Sequence, residues 1–192
     1  MGHVQVLGDF VEEQDSGQAY LRIHFSPTSV SPQQRWRNNG LSADFVAEYW
    51  STFFPTHGIS SPRKQREIKG AIGYIANELL ENMMKFTHEP GEHPVSLELY
   101  LDQARFTFYT RNAIAPQAVG PFQAYIQKLL LEDTEMLYLQ QLEHSVLDES
   151  NGARLGLLTM LNDYAARLAW KFETDPQDSE SITVTTMVQL VV

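Results

Sequence analysis

Between Ser61 and Phe86 the chain carries one uninterrupted apolar stripe: Ile68, Ile72, Ile75, Leu79, Met83 and Phe86 recur at the spacing of a single helix face. Ser61 stands where an N-cap belongs, Pro62 occupies the first helical position, and Pro90-Gly91 enforce the end. A helix over 62–86 would be roughly 38 Å long at 1.5 Å per residue. A stripe of that length needs a broad apolar surface beneath it, which the flanking segments supply as strands.

Val4, Val6 and Phe10 read as a first edge strand, and Tyr20 to Phe25 alternates apolar Leu21, Ile23 and Phe25 with Arg22 and His24. Leu97, Leu99 and Leu101, then Phe106 and Phe108, flank Asp102-Gln103 as an antiparallel hairpin. Near the C-terminus Ile182, Val184, Val188, Leu190 and Val192 share one strand face, with Thr183, Thr185 and Gln189 on the other. Ser31 to Arg37 reads as irregular and Asn38-Asn39-Gly40 as a turn, after which Ser42 caps a helix bearing Phe45, Val46, Tyr49, Trp50 and Phe53. Three further helices are predicted over 119–131, 134–147 and 155–168, the last two separated by the polar break Asp148 to Gly152. This order predicts a two-layer α/β sandwich, its sheet mixed and mostly antiparallel, with helices on one face. The 192 residues form a single domain, 1–40 contributing strands and an arm and 41–192 the core.

Surface scaling buries about 70% of a chain this size, enough for a substantial core. The 14 Lys and Arg against 24 Asp and Glu leave a net charge of −10, which repels a polyphosphate backbone and argues against nucleic-acid binding. No apolar run is long enough to span a bilayer and no secretory signal opens the chain, so the expected location is cytoplasmic, without a membrane partner. The absence of Cys removes disulfides, thiolate metal sites and thiol nucleophiles.

One edge of the long helix is polar. Glu78, Asn82 and Lys85 follow at i, i+4 and i+7, and Asn82 projects only about 20° from Ile75, on the margin of the buried stripe. An amide there must find partners or cost about 1–3 kcal/mol. Glu78 could pair with Lys85 and Asn82 with a loop carbonyl, or the seam could border a cleft. A second feature, Asn151-Gly152-Ala153-Arg154-Leu155-Gly156-Leu157, runs a glycine-bearing break into an apolar helix, whose first N–H groups suit an anion.

Together the two segments carry a resemblance. Ile75-Ala-Asn-Glu-Leu-Leu-Glu-Asn-Met-Met-Lys-Phe86 resembles the N box of the gyrase/histidine-kinase/MutL ATPase superfamily, with its Bergerat fold, and Gly152-Ala-Arg-Leu-Gly-Leu-Leu158 resembles its second glycine box. From about Arg63 onward the chain is similar to SiaB-type regulatory protein kinases and related cyanobacterial-type regulators, the latter also in Arg35-Trp36-Arg37-Asn38-Asn39-Gly40. The resemblance implies a regulator that binds ATP or ADP with Mg²⁺ and acts as a Ser/Thr kinase. Its partner would be a small regulatory protein, anti-sigma-antagonist-like or response-regulator-like, and a homodimer is among the expected assemblies. It implies Glu78 as the catalytic base, Asn82 as ligand of the nucleotide-bound Mg²⁺, Lys85 as a phosphate contact, and Gly152 and Gly156 as phosphate-wrapping glycines. The chain departs from the family where an Asp-x-Gly-x-Gly box would read adenine, so Thr110 or Asn112 would substitute, and Arg154 stands where another glycine is usual. These departures motivate an alternative, a non-catalytic sensory module whose cleft is refitted for FAD.

Other clusters read as surface or core. The His88-Glu89-Pro90-Gly91-Glu92-His93 turn reads as a solvated loop, and Arg63, Lys64, Arg66 and Lys69 as a basic patch suited to docking or to solubility. Trp36 between two Arg could stack on a ring. Tyr109 beside Arg111, and Tyr164 with Arg167, could line the same cleft or simply pack.

Overall fold

The computed structural model describes residues 3–12, 19–25, 32–54, 58–59, 61–88, 95–102, 105–145, 152–178 and 181–192. Strands β1 (Val4–Leu7) and β2 (Ala19–Phe25) precede helices α1 (Pro32–Ser51) and α2 (Pro62–Phe86). The hairpin β3 (Val95–Asp102) and β4 (Arg105–Ile114) follows, then α3 (Pro116–Leu131), α4 (Thr134–Ser145), α5 (Gly152–Asn162), β5 (Arg167–Thr174) and β6 (Ile182–Val191). The six strands form one sheet in the order β1-β5-β6-β4-β3-β2, every pairing antiparallel. The helices and this sheet make a two-layer α/β sandwich. Among the described residues no helix is long and apolar enough to cross a membrane.

The α2 stripe behaves as its period requires: Ile68, Ile72, Ile75, Leu79 and Met83 are buried. They meet Leu97, Leu99, Phe106 and Phe108 in one core, and each such side chain taken out of water contributes about 1.5–3 kcal/mol. Ser61 precedes α2 with Pro62 inside its first turn, but its hydroxyl makes no capping bond. At the other end Thr87 closes the helix, its N–H and hydroxyl both donating to the Met83 carbonyl.

Two expectations are corrected. The segment 32–37 is not irregular and Asn38-Asn39-Gly40 is no turn, since both belong to α1. The Ser42 hydroxyl donates back to the Asn38 carbonyl at 2.7 Å instead of capping. Local turn preference is overridden because Ala43, Val46, Ala47 and Trp50 are buried as α1 lies on α2, with Ala47 facing Gly73. The helix expected over 155–168 ends at Asn162, and β5 begins at Arg167. Ala165 adopts φ 49°, the Ala166 N–H donates to the Met160 carbonyl, and beyond it Leu168, Trp170 and Phe172 alternate with Arg167, Ala169 and Lys171 as strand. Without β5 the edge strand β1 would have no neighbour.

The sheet's other face is covered in part by the chain just after β1. Gly8, at φ 79°, passes so close to β5 that a Cβ would stand 2.9 Å from the Leu168 carbonyl oxygen, a place only glycine fits. Phe10 then packs edge-on against Tyr109, whose hydroxyl donates to the Val11 carbonyl at 2.8 Å.

Candidate functional site

Between α2 and the sheet lies a cleft of about 470 Å³, within the range of small-molecule sites. Its floor follows from sheet register. Thr110 on β4 stands beside Thr186 on β6, and Thr186 beside Trp170 on β5, a cross-strand row in which all three line the cleft. One pleat on, Asn112 stands beside Val184, and both line it too. Leu79, Asn82 and Met83 of α2 form the roof, Ala118, Pro121, Phe122 and Tyr125 of α3 one wall, and Leu157 of α5 reaches in. Lys85, Phe86, Thr87 and His88 line it from the end of α2, and Phe86, although apolar, is half exposed.

Polar groups are few and placed. Thr110 and Asn112 are buried, and the Asn112 amide donates to the Ala113 carbonyl at 3.2 Å. Trp170 is fully buried and its indole N–H has no hydrogen-bond partner. A buried donor left so is costly unless something accepts from it. The His88 N–H donates to the Ala113 carbonyl at 2.9 Å, tying the exit of α2 to the end of β4 and thus to the start of α3.

Of the residues singled out by sequence, Asn82, Lys85, Thr110 and Asn112 come together in this cleft. Glu78 does not line it. Its carboxyl packs on α5 at Gly156, where a Cβ would lie 2.0 Å from Oε2 and 2.8 Å from Cδ. The helical seam therefore divides, with one turn separating the group pressed on the glycine helix from the group facing the cleft. Burial, aided by the charge of Glu81, pushes the Glu78 carboxyl up to about 7. Burial likewise raises Tyr74, which bonds Thr159 of α5 and packs at a tilt against Tyr164 with ring centroids 5.3 Å apart. Gly152 opens α5, while the side chain of Arg154 lies outside the described residues, as do those of Arg35 and Trp36, the turn 89–94 and the break 146–151.

Strand alternation corrects another expectation. Tyr109 and Arg111 point to the face opposite Thr110 and Asn112, where Arg111 Nε donates to Thr185 Oγ1 at 3.4 Å, so neither lines the cleft. Tyr164 is occupied at Tyr74, and Arg167 is exposed. On the basic patch Arg63 pairs with Glu67 at 2.8 Å and Lys69 with Glu48.

Thr186 and Trp170 are site residues that the sequence pattern did not single out, and His88, read with 89–93 as part of a solvated loop, lines the cleft instead. Thr186 had a signal: it is the polar member of a strand face otherwise made of Ile182, Val184, Val188 and Leu190.

The donor set tests the fit of magnesium. A hard cation wants several oxygens, usually including a carboxylate. Among the described residues no group of three or more His, Asp or Glu could hold a metal, and the cleft lining includes no Asp or Glu. The side-chain oxygens that line it belong to Asn82, Thr87, Thr110, Asn112 and Thr186, all neutral, so among the described residues no carboxylate stands ready to hold magnesium there.

No family model matches the chain, and no curated protein matches it. Among solved structures the fold is similar to a chain in the crystal structure of the SiaB–SiaC complex from Pseudomonas aeruginosa, with a TM-score of 0.57, 13% identity, and coverage of 90% of this chain and 89% of that one. At this level of identity the likeness is one of fold.

Proposed function

We propose that the chain is a cytoplasmic signalling regulator that binds an adenine nucleotide in the cleft under α2 and acts through a small protein partner. The observation that carries this is the convergence of Asn82 and Lys85 from α2 with Thr110 and Asn112 from β4 around one cavity. In a Bergerat-type ATPase, which the N-box and glycine-box motifs resemble, these elements are the ones that would hold a nucleotide. Thr110, Asn112 and Thr186 offer hydroxyl and amide groups able to read a purine edge, and apolar Leu79, Met83 and Val184 would sandwich its ring. The likeness to a chain from a two-protein complex supports action through a partner. An anti-sigma-antagonist-like or response-regulator-like protein is the kind the motif resemblance favours.

Kinase activity asks more of the same parts. Phosphoryl transfer relies on positioning and charge stabilisation, with a base oriented towards the acceptor hydroxyl. Glu78, held near neutral pH by burial, has the acidity of such a base, but would have to swing away from Gly156 into the cleft to serve. We therefore place nucleotide-dependent partner binding ahead of turnover. Beyond its ADP portion a flavin dinucleotide would bring a ribityl chain and a tricyclic ring into a 470 Å³ space, which disfavours it; a yellow preparation would reinstate it.

Isothermal titration of the full chain with ADP and with ATP tests the proposal. Saturable 1:1 binding that Asn82→Ala weakens at least tenfold supports it, and absence of binding to either nucleotide rejects it.

A further inference from the structure

Helix α4 is apolar on two faces. Its inward face meets the body of the molecule, with Leu137 and Tyr138 against the core. At its start the Thr134 hydroxyl donates to Asn162 Oδ1 at 2.5 Å, and the Asn162 amide donates to the Thr134 carbonyl at 3.1 Å. These contacts fix which face turns inward. The outward face nevertheless carries Met136 and Leu139, three residues apart and each 55% exposed. Just before Asp133, whose carboxylate accepts the Glu135 and Met136 N–H groups and so caps α4, the end of α3 adds Leu130 and Leu131, the latter 84% exposed. Among the described residues thirteen large apolar side chains are exposed, and these four fall within the ten residues 130–139. Scattered singly they would need no explanation, but gathered on one corner they mark a surface that another molecule covers. A helix apolar on opposite sides is covered on both.

Charge around the corner selects the cover. Glu132, Asp133 and Glu135 interleave with the four apolar residues and are exposed. Lys128 is the one cation in the sequence 128–139, and further on the sequence adds Glu143, Asp148 and Glu149. A second copy would set the same carboxylates against these, in a chain of net charge −10, and like charges opposed across an interface are costly. An anionic lipid surface is repelled for the same reason. A basic surface is attracted.

We propose that the α3–α4 corner is where the protein partner docks, and that the partner presents to it a basic amphipathic helix. Its apolar face would cover Leu131, Met136 and Leu139, and its Lys or Arg would meet Glu132, Asp133 and Glu135. The inference rests on the reading that the chain acts through a protein partner, and adds where that partner binds and what it carries; it does not depend on a nucleotide. The corner adjoins the cleft's own walls: α3 lines the cavity with Phe122 and Tyr125, and α5, to which α4 is bonded, reaches in with Leu157.

Two fluorescein-labelled model peptides isolate the chemistry, an amphipathic Leu/Lys helix and its Leu/Glu counterpart, which keeps the apolar face and reverses the charge. In fluorescence anisotropy with the full chain, the Leu/Lys peptide is expected to bind saturably at 1:1 and at least tenfold more tightly than the Leu/Glu peptide. Leu131→Ser, Met136→Ser and Leu139→Ser combined should weaken it at least tenfold without altering thermal unfolding, because all three side chains are exposed. Glu132→Gln with Glu135→Gln should weaken it several-fold, whereas Asp44→Asn with Glu67→Gln, which removes as much charge from α1 and α2, should not. Equal affinity for the two peptides, binding that the serine variant leaves intact, or a control pair as damaging as the corner pair would overturn the proposal. So would dimerisation of the parent chain in sedimentation that the serine variant abolishes, since a second copy would then be the cover. Failure here is distinct from failure of the nucleotide reading: ADP binding without corner-dependent peptide binding removes the docking surface alone, and corner-dependent peptide binding without ADP binding removes the nucleotide alone.

Discussion

One turn of α2 separates two kinds of environment. At Glu78 the helix edge is closed, a carboxyl pressed onto the backbone of Gly156; at Asn82 it is open, an amide facing a cavity floored by Thr110, Thr186 and Trp170. The closed contact is a matter of fit and proton affinity, the open one a matter of ligand chemistry. A polar seam that looks uniform on a helical projection thus divides, with the Glu78 carboxyl on α5 and the Asn82 amide on the cavity.

The largest expected effect lies on the closed side. Gly156→Val inserts atoms where Glu78 Oε2, Cδ and Cγ already crowd, and overpacking of this kind costs about 1–3 kcal/mol. In chemical denaturation the loss should shrink when Glu78→Ala is added, because the two sites share the contact. Additive losses would break the comparison.

Next in size is a pH effect. The folded state keeps the Glu78 proton up to about pH 7, whereas the unfolded chain releases it near the ordinary glutamate value of about 4.3. The folded state therefore binds more protons between those values, so this contribution is fully present below the unfolded value and is lost as pH rises through 7. With solvent screening of a partly exposed side chain, the loss is on the order of 1 kcal/mol. Glu78→Gln should flatten this part of the stability–pH curve and exceed the parent chain in stability at pH 8. An unchanged curve would mean that the carboxyl is not held against α5.

Substitutions on the open side should move ligand affinity more than stability. Asn82→Ala, half-buried at the cavity, is expected to lower the unfolding free energy by under about 1 kcal/mol while weakening ADP at least tenfold. Smallest is Thr186→Val, for which we expect stability within about 0.5 kcal/mol of the parent and a few-fold weaker ADP. If either variant unfolds the chain without touching affinity measured on the folded fraction, the cavity is structural.

The sequence pattern carried the two-layer architecture, the hairpin and the α2 stripe, since period-2 and period-3.6 patterns need only local spacing. It missed what depends on partners distant in sequence. Asn38-Asn39-Gly40 reads as a turn until α2 is known to lie beside it, and Ala165-Ala166 reads as helix until the left-handed Ala165 ends it and frees β5. The candidate site divided the same way. Asn82 announced itself as an amide on an apolar margin, and Thr110 and Asn112 through the family resemblance. Trp170 and Thr186 become site residues only through the registers β5–β6 and β4–β6, which no single segment encodes. That Glu78 turns to Gly156 and not to the cleft is likewise a property of how α5 docks on α2.

The central claim, that the cavity under α2 is where a nucleotide sits, is tested most directly by photolabelling the full chain with 8-azido-ADP and mapping the modified peptides. The account predicts adducts confined to segments 79–88, 110–125 and 170–186, suppressed by excess ADP and lost in Asn82→Ala. Adducts confined to other segments, or labelling that excess ADP does not suppress, would contradict it.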